Sequence, residues 1–174
     1  MKKLILAAGA LVLAATSFQP ASASVGSIAG YVAPAAHGAN RTGRVFTGDR
    51  SGDWLFRALF RSGFANQPES TQRDDGLQLR DAWIAVPVRC APPQKKPTVL
   101  ERDSCASWLD AELELLTATS VYVCLGQYSY VSLWRALQRA DTTLPSPRPA
   151  FGHGRVVDLA DGRRTRGIGH IARA

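Results

Sequence analysis

Apolar positions fall into short blocks along the chain, each bounded by glycine, proline or a polar cluster. The run Leu4 to Ala15 follows Lys2 and Lys3 and precedes Pro20 and the small residues Ala21-Ser22-Ala23. That is the pattern of a secretory leader over residues 1–23, with an apolar run too short to span a bilayer. Val25 to Ala33 is a weak strand candidate, interrupted by Gly26 and Gly30. Trp54, Leu55, Ala58 and Leu59 recur at helical spacing and predict a helix over 52–62. Asp49 or Ser51 is placed to cap it and Gly63 to stop it.

Residues 65–80 are polar and read as loop, whereas 82–88 are almost continuously apolar and predict a strand buried on both faces. Pro87 sits awkwardly there, because it gives no N–H to a ladder. Thr98 and Glu101 form a capping box that opens a helix. Cys105, Trp108, Leu109, Leu113 and Leu116 are expected on one of its faces. Val121 to Leu125 predicts a second buried strand, and Leu133, Trp134 and Leu137 mark a further helix. After a proline-rich connection over 141–149, Arg155–Leu159 and Arg163–Ile171 predict a hairpin turned at Asp161-Gly162.

Strands and helices thus alternate, and the central sheet is expected to have four strands. The order predicts one α/β domain over 24–174, its central sheet mostly parallel and its helices on both faces. Ligands of such sheets bind beyond the carboxyl ends of the strands.

Val32 to Asp49 stands apart from this pattern. It offers three glycines, two arginines and single His, Asn, Phe and Asp side chains, with almost nothing periodic to bury. Backbone N–H groups, cationic forks and one aromatic ring suit a loop that holds a phosphate-bearing or planar ligand. A formal charge of +7 over 174 residues favours anionic partners, nucleic acid first and anionic membrane second. Arg41, Arg44, Arg50, Arg89, Lys95 and Lys96 read as phosphate contacts or solvated charges, and Phe46 as a stacking ring or a core plug. Asp49 serves either as the helix cap or as a water-activating carboxylate. His37 has no partner at ligand spacing, so a metal role there is disfavoured. Three cysteines suit neither paired disulfides nor a four-thiolate site. Cys90 and Cys105 make half of a cluster or zinc site, or one disulfide in an oxidising compartment.

The segment Ala33-Pro34-Ala35-Ala36-His37-Gly38-Ala39-Asn40-Arg41-Thr42-Gly43-Arg44, continuing Phe46-Thr47-Gly48-Asp49, resembles the type-5 uracil-DNA glycosylases. Arg89-Cys90-Ala91-Pro92-Pro93 through Lys96-Pro97-Thr98 to Cys105 and Trp108 carries the same resemblance, which extends over about 33–165. It implies a three-layer α/β/α fold that binds DNA, single- or double-stranded, flips a deaminated base and hydrolyses its N-glycosidic bond. By that resemblance Ala35, His37, Gly38, Asn40 and Phe46 would wall and stack the base, and Asp49 and His170 would be the catalytic pair. Arg41, Arg44, Lys95 and Lys96 would take the DNA phosphates. Val86 stands where related families carry a base-reading Asn.

The family also implies a 4Fe-4S cluster, of whose four cysteine ligands only Cys90 and Cys105 have counterparts here, together with a cytoplasmic monomer. Its Gly-Leu-Ala-Pro entry and its closing His-Ser motif are not matched, and His170 is the only remnant of the latter. The expectation is a glycosylase with altered or truncated ends and impaired activity. The alternative is an exported, basic, non-catalytic nucleic-acid-binding protein on the same scaffold, with a Cys90–Cys105 disulfide.

Overall fold

The computed structural model describes residues 42–48, 50–89 and 97–169, together with the backbone of 5–8 and 11–14. These fall into two compact units. One contains 5–8, 11–14, 81–88 and 98–169; the other contains 42–48, 50–80, 89 and 97. The strand expected over 25–33 lies outside the described residues.

The first unit is built on a sheet. Strands β1 (Ile5–Ala8), β2 (Leu11–Ala14), β3 (Val121–Leu125), β4 (Val156–Asp158) and β5 (Arg164–Ile168) lie in the order β1-β2-β3-β5-β4. β3 runs parallel to β5, with Tyr122 opposite Thr165 and Leu125 opposite Ile168. β1 also pairs β3 in parallel, while β1–β2, β2–β3 and β4–β5 are antiparallel. The fold is α/β as expected, but its sheet is mixed rather than mostly parallel. Among the described residues it has five strands, where four were expected. Two of them come from the apolar run that resembles a leader.

The strand expected over 82–88 does not form. That run carries a single bridge at Ala85, although Ala85, Val86, Pro87 and Val88 are all buried. Hydrophobic continuity reported burial correctly. A ladder needs donors as well, and Pro87 has none to give.

Helix α2 (Val99–Leu115) opens on the expected box: Glu101 N–H donates to Thr98 Oγ1 at 3.2 Å, and Thr98 N–H donates to Glu101 Oε2 at 2.7 Å. Its buried stripe is Cys105, Leu109 and Leu113, at positions i, i+4 and i+8. Trp108 and Leu116 are not part of it. Trp108 is 55% exposed, because it lies about 100° round the helix from Leu109. Helix α3 (Gln127–Arg139) buries Tyr130, Leu133, Trp134 and Leu137, and it packs on β3 and on α2. The Arg139 guanidinium makes a forked pair with Asp110 at 2.7 and 2.6 Å. The β4–β5 turn is held by Gly162 at φ 83° and by Arg163 N–H donating to Asp161 Oδ1. Arg163 reaches back to the buried Tyr122 hydroxyl, its guanidinium over the ring at 5.3 Å, and burial pushes that phenol up to about 12.

In the second unit helix α1 (Arg50–Arg61) buries Gly52, Leu55, Phe56 and Leu59, a regular i, i+3, i+4, i+7 face. Phe56 therefore replaces the expected Trp54, which is 39% exposed. Ser51 lies inside α1 and does not cap it. Gly63, at φ 79°, ends the helix as expected. Phe64 N–H donates to Leu59 O and Gly63 N–H to Phe60 O, the paired bonds of a Schellman stop.

Candidate functional site

Among the residues the sequence singles out for the site, Arg44, Phe46, Arg50, Val86, Arg89, Cys105 and Cys124 are described. Ala35, His37, Gly38, Asn40, Arg41, Asp49, Cys90, Lys95, Lys96 and His170 lie outside the described residues. Thr42 to Gly48 is the visible part of the glycine-rich loop, and its backbone is unusual. Gly43, Phe46 and Gly48 all have positive φ, at 73°, 57° and 86°. For Phe46 that conformation costs on the order of 1–2 kcal/mol, so the surroundings must enforce it.

Three contacts do so. A Cβ on Gly52 would sit 1.7 Å from the Phe46 carbonyl oxygen, so the first turn of α1 accepts the loop only because residue 52 has no side chain. Thr47, fully buried, shares a 2.5 Å hydroxyl–hydroxyl bond with Ser70. Arg44 spreads its fork over the facing loop: Nη1 donates to Asp75 Oδ1 at 2.6 Å and to Ser70 Oγ at 3.0 Å, and Nη2 donates to the Arg73 carbonyl at 2.5 Å. Thr42 Oγ1 lies 3.2 Å from the carbonyls of both Arg44 and Thr47 and tightens the turn from inside.

The facing loop is organised by Asp75. Its carboxylate accepts from Thr71 N–H at 2.7 Å, Gln72 N–H at 3.3 Å and Leu77 N–H at 3.0 Å, besides Arg44. Burial works against the charge. The Leu77 amide, the Arg44 guanidinium and the Thr71 and Gln72 amides outweigh it and hold the carboxyl down at about 2. Below this turn Asn66 joins the two arms of the loop, donating to Gly76 O at 2.9 Å and accepting from Gln78 N–H at 2.7 Å. A bridge between Ala65 and Leu79 closes the base.

Arg44 is thus committed inside the protein. Its side chain is only 14% exposed, which makes it a brace for the loop rather than an open cation for a phosphate. Asp75 is the bracing residue that sequence reasoning missed. Its signal was the Asp75-Gly76 pair, a turn dipeptide, with Gly76 at φ 84°.

Cys105 and Cys124 lie in the other unit. Cys105 is buried on α2 as a free thiol, and Cys90, its partner in the disulfide of the alternative reading, lies outside the described residues. Cys124 is fully buried in β3, where burial pushes its thiol far above the usual range despite a hydrogen bond with Ser129. A thiol so disposed is a poor metal ligand, because the ligand is the thiolate. Four thiolates are needed for a 4Fe-4S cluster. The three cysteines of this chain, one of them locked as a neutral core thiol, do not fit it. Among the described residues no group of three or more metal-capable side chains converges.

Comparison with known proteins bears on the whole loop. Residues 28–156 match the family model described as the uracil DNA glycosylase superfamily, well over half of the chain. A type-5 uracil-DNA glycosylase of Mycobacterium bovis is 47% identical over 140 residues, covering 80% of this chain and 51% of that protein. The same-named protein of Pyrobaculum aerophilum is 47% identical over 129 residues, 74% of this chain and 54% of its own. That of Thermus thermophilus is 41% identical over 142 residues, 82% of this chain and 62% of its own. The chain therefore spans about half the length of the curated relatives it matches. A family match that takes in the braced loop, helix α1, the Asp75 turn and the β3–α3 region leads to one conclusion: the chain belongs to the uracil DNA glycosylase superfamily.

Proposed function

We propose that this chain is a DNA base-excision glycosylase of the type-5 kind, hydrolysing the N-glycosidic bond of uracil or another deaminated base. The observation that carries the reading is the brace on residues 42–48, which holds one aromatic ring on a rigid left-handed turn inside the matched span. A flipped base needs such a rigid flat partner, since stacking replaces what the base loses on leaving the helix.

In this reading Phe46 stacks on the base, and Ala35, His37, Gly38 and Asn40 wall its edge. Asp49 orients a water molecule toward the sugar C1′. The C1′–N bond breaks with its electron pair leaving on the base, through a sugar with oxocarbenium character. His170 stabilises the negative charge that grows on the departing base. The water's hydroxyl ends on C1′ and its remaining proton on the base. Arg41, Lys95 and Lys96 take the flanking phosphates, and Arg44 holds the loop. Cys90 and Cys105 are the two positions with family-type metal ligands, and no step here depends on a metal. The protein works as a monomer on DNA in the cytoplasm. Its relatives carry glycosylase names, which favours this reading over the exported binding protein.

The test is release of free base by the full chain from an end-labelled oligonucleotide with one uracil. Base release that falls on the order of a hundredfold in Phe46→Ala supports the reading. No release from any deaminated base sinks it. Activity that survives Asp49→Ala and His170→Ala together removes those two assignments.

A further inference from the structure

The β4–β5 hairpin ends in an unusual way. Above Val157 and Thr165, Gly154 and Arg155 both face Gly167: Gly154 N–H donates to Gly167 O at 2.7 Å, and Gly167 N–H donates to Arg155 O at 2.9 Å. Two residues against one is a bulge, and Gly154 takes it at φ 74°. The bend is packed closely. A Cβ on Gly167 would meet the Gly152 carbonyl at 2.4 Å and the Phe151 ring at 2.9 Å. Arg155 N–H closes the turn onto Gly152 O at 3.2 Å.

Because the backbone turns away at the bulge, the next N–H on that edge of the strand, that of Gly169, meets no backbone acceptor among the described residues. The acceptor is a side chain. His153 Nδ1 receives the Gly169 N–H at 3.1 Å, and a Cβ added to Gly169 would lie 3.5 Å from that nitrogen. On the opposite edge Gly126 N–H donates to Ile168 O at 2.8 Å. The end of β5 is held from both sides, once by backbone and once by an imidazole.

We infer that His153 is a positioning residue for the glycosylase reaction. Its imidazole, unprotonated at Nδ1, extends the β4–β5 ladder by one rung and fixes Gly169, the residue bonded directly to His170. An amide donor leaves no other option for Nδ1, so the ring carries its proton on Nε2. This inference rests on the functional reading above through His170, while the anchor itself rests on geometry alone.

Asn and Gln separate the atom from the bulk. Asn puts an oxygen where His has Nδ1, and Gln puts one where His has Nε2. His153→Ala and His153→Gln are expected to lower kcat on uracil-containing oligonucleotide on the order of tenfold with KM unchanged, while His153→Asn stays within about threefold of the native chain. Amide hydrogen exchange at Gly169 is expected to speed up in the Ala and Gln variants and not in Asn. The native 15N spectrum is expected to show an unprotonated Nδ1. A His153→Asn chain as slow as His153→Ala, or a Gly169 amide indifferent to all three, overturns the inference. A native chain that releases no base, yet keeps Gly169 protected through His153, overturns the functional reading and leaves the anchor standing. An active native chain matched by an equally active His153→Ala overturns the positioning role and leaves the functional reading standing.

Discussion

The two units of this chain hold their shape by different means. In the sheet unit, β3 and β5 share a parallel ladder, and α3 covers β3 with Leu133, Trp134 and Leu137. Order there comes from backbone pairing and buried apolar area, which no single polar group decides. In the unit carrying the braced loop, residues 42–48 and 70–77 share no ladder. They are held by Arg44, Thr47, Ser70 and Asp75, four polar side chains that meet in a small part-buried cluster. The first arrangement is redundant and the second is not. A site that needs one ring in one strained conformation gains precision from such a cluster and inherits its fragility.

Four substitutions test that contrast, and the largest effect belongs to the core. Leu133→Ala, at a fully buried position of α3, is expected to cost about 3 kcal/mol in urea unfolding and to leave the kcat of the remaining folded protein unchanged. Gly52→Ala reverses the balance. Its methyl would meet the Phe46 carbonyl, so about 2 kcal/mol of stability should go together with most of the base-release activity. Equal loss of activity in both variants would erase the distinction between the units.

Asp75→Asn removes the charge that Arg44 answers. It is expected to cost about 2 kcal/mol at neutral pH, measured by denaturant melts. The same carboxyl sets a pH signature. Its stabilisation is fully present above the ordinary Asp value of 3.8 and is lost as pH falls toward about 2. That window is worth about 2 kcal/mol, and Asp75→Asn should lack it. An identical acid limb in both proteins would show that the carboxylate is not the clamp. Asp158→Ala, which breaks only the exposed pair with Arg164 on the hairpin, should change stability by less than about 0.5 kcal/mol.

The sequence spoke most clearly where structure is local. The Thr98–Glu101 box, the Val121–Leu125 strand, the Gly63 stop and the Asp161-Gly162 turn each depend on residues within a few positions of one another. Burial without a ladder was the first thing it could not show, because Ala85 to Val88 are as apolar as any strand. Trp54 and Trp108 were counted into buried stripes by their spacing, but the buried faces are Leu55, Phe56 and Leu59 in α1 and Cys105, Leu109 and Leu113 in α2. The candidate loop was visible as a composition. Its brace was hidden, because Arg44 and Asp75 are 31 positions apart and neither belongs to a periodic pattern. Phe46 at φ 57° was equally hidden, since a left-handed aromatic is enforced by neighbours rather than encoded at its own position.

Asp75 also bears on where the chain can be lengthened. Exposed polar loops are ordinarily where insertions, tags and new termini are accepted. Residues 71–74 and 76 are exposed, but the Asp75 carboxylate among them collects the amides of Thr71, Gln72 and Leu77 as well as the Arg44 fork. An extra residue between Thr71 and Leu77 would carry at least one of those donors out of reach. The number of residues in this turn is therefore set by the reach of a single side chain, and a library of insertions should accept lengthening in the 141–149 connection while excluding it here.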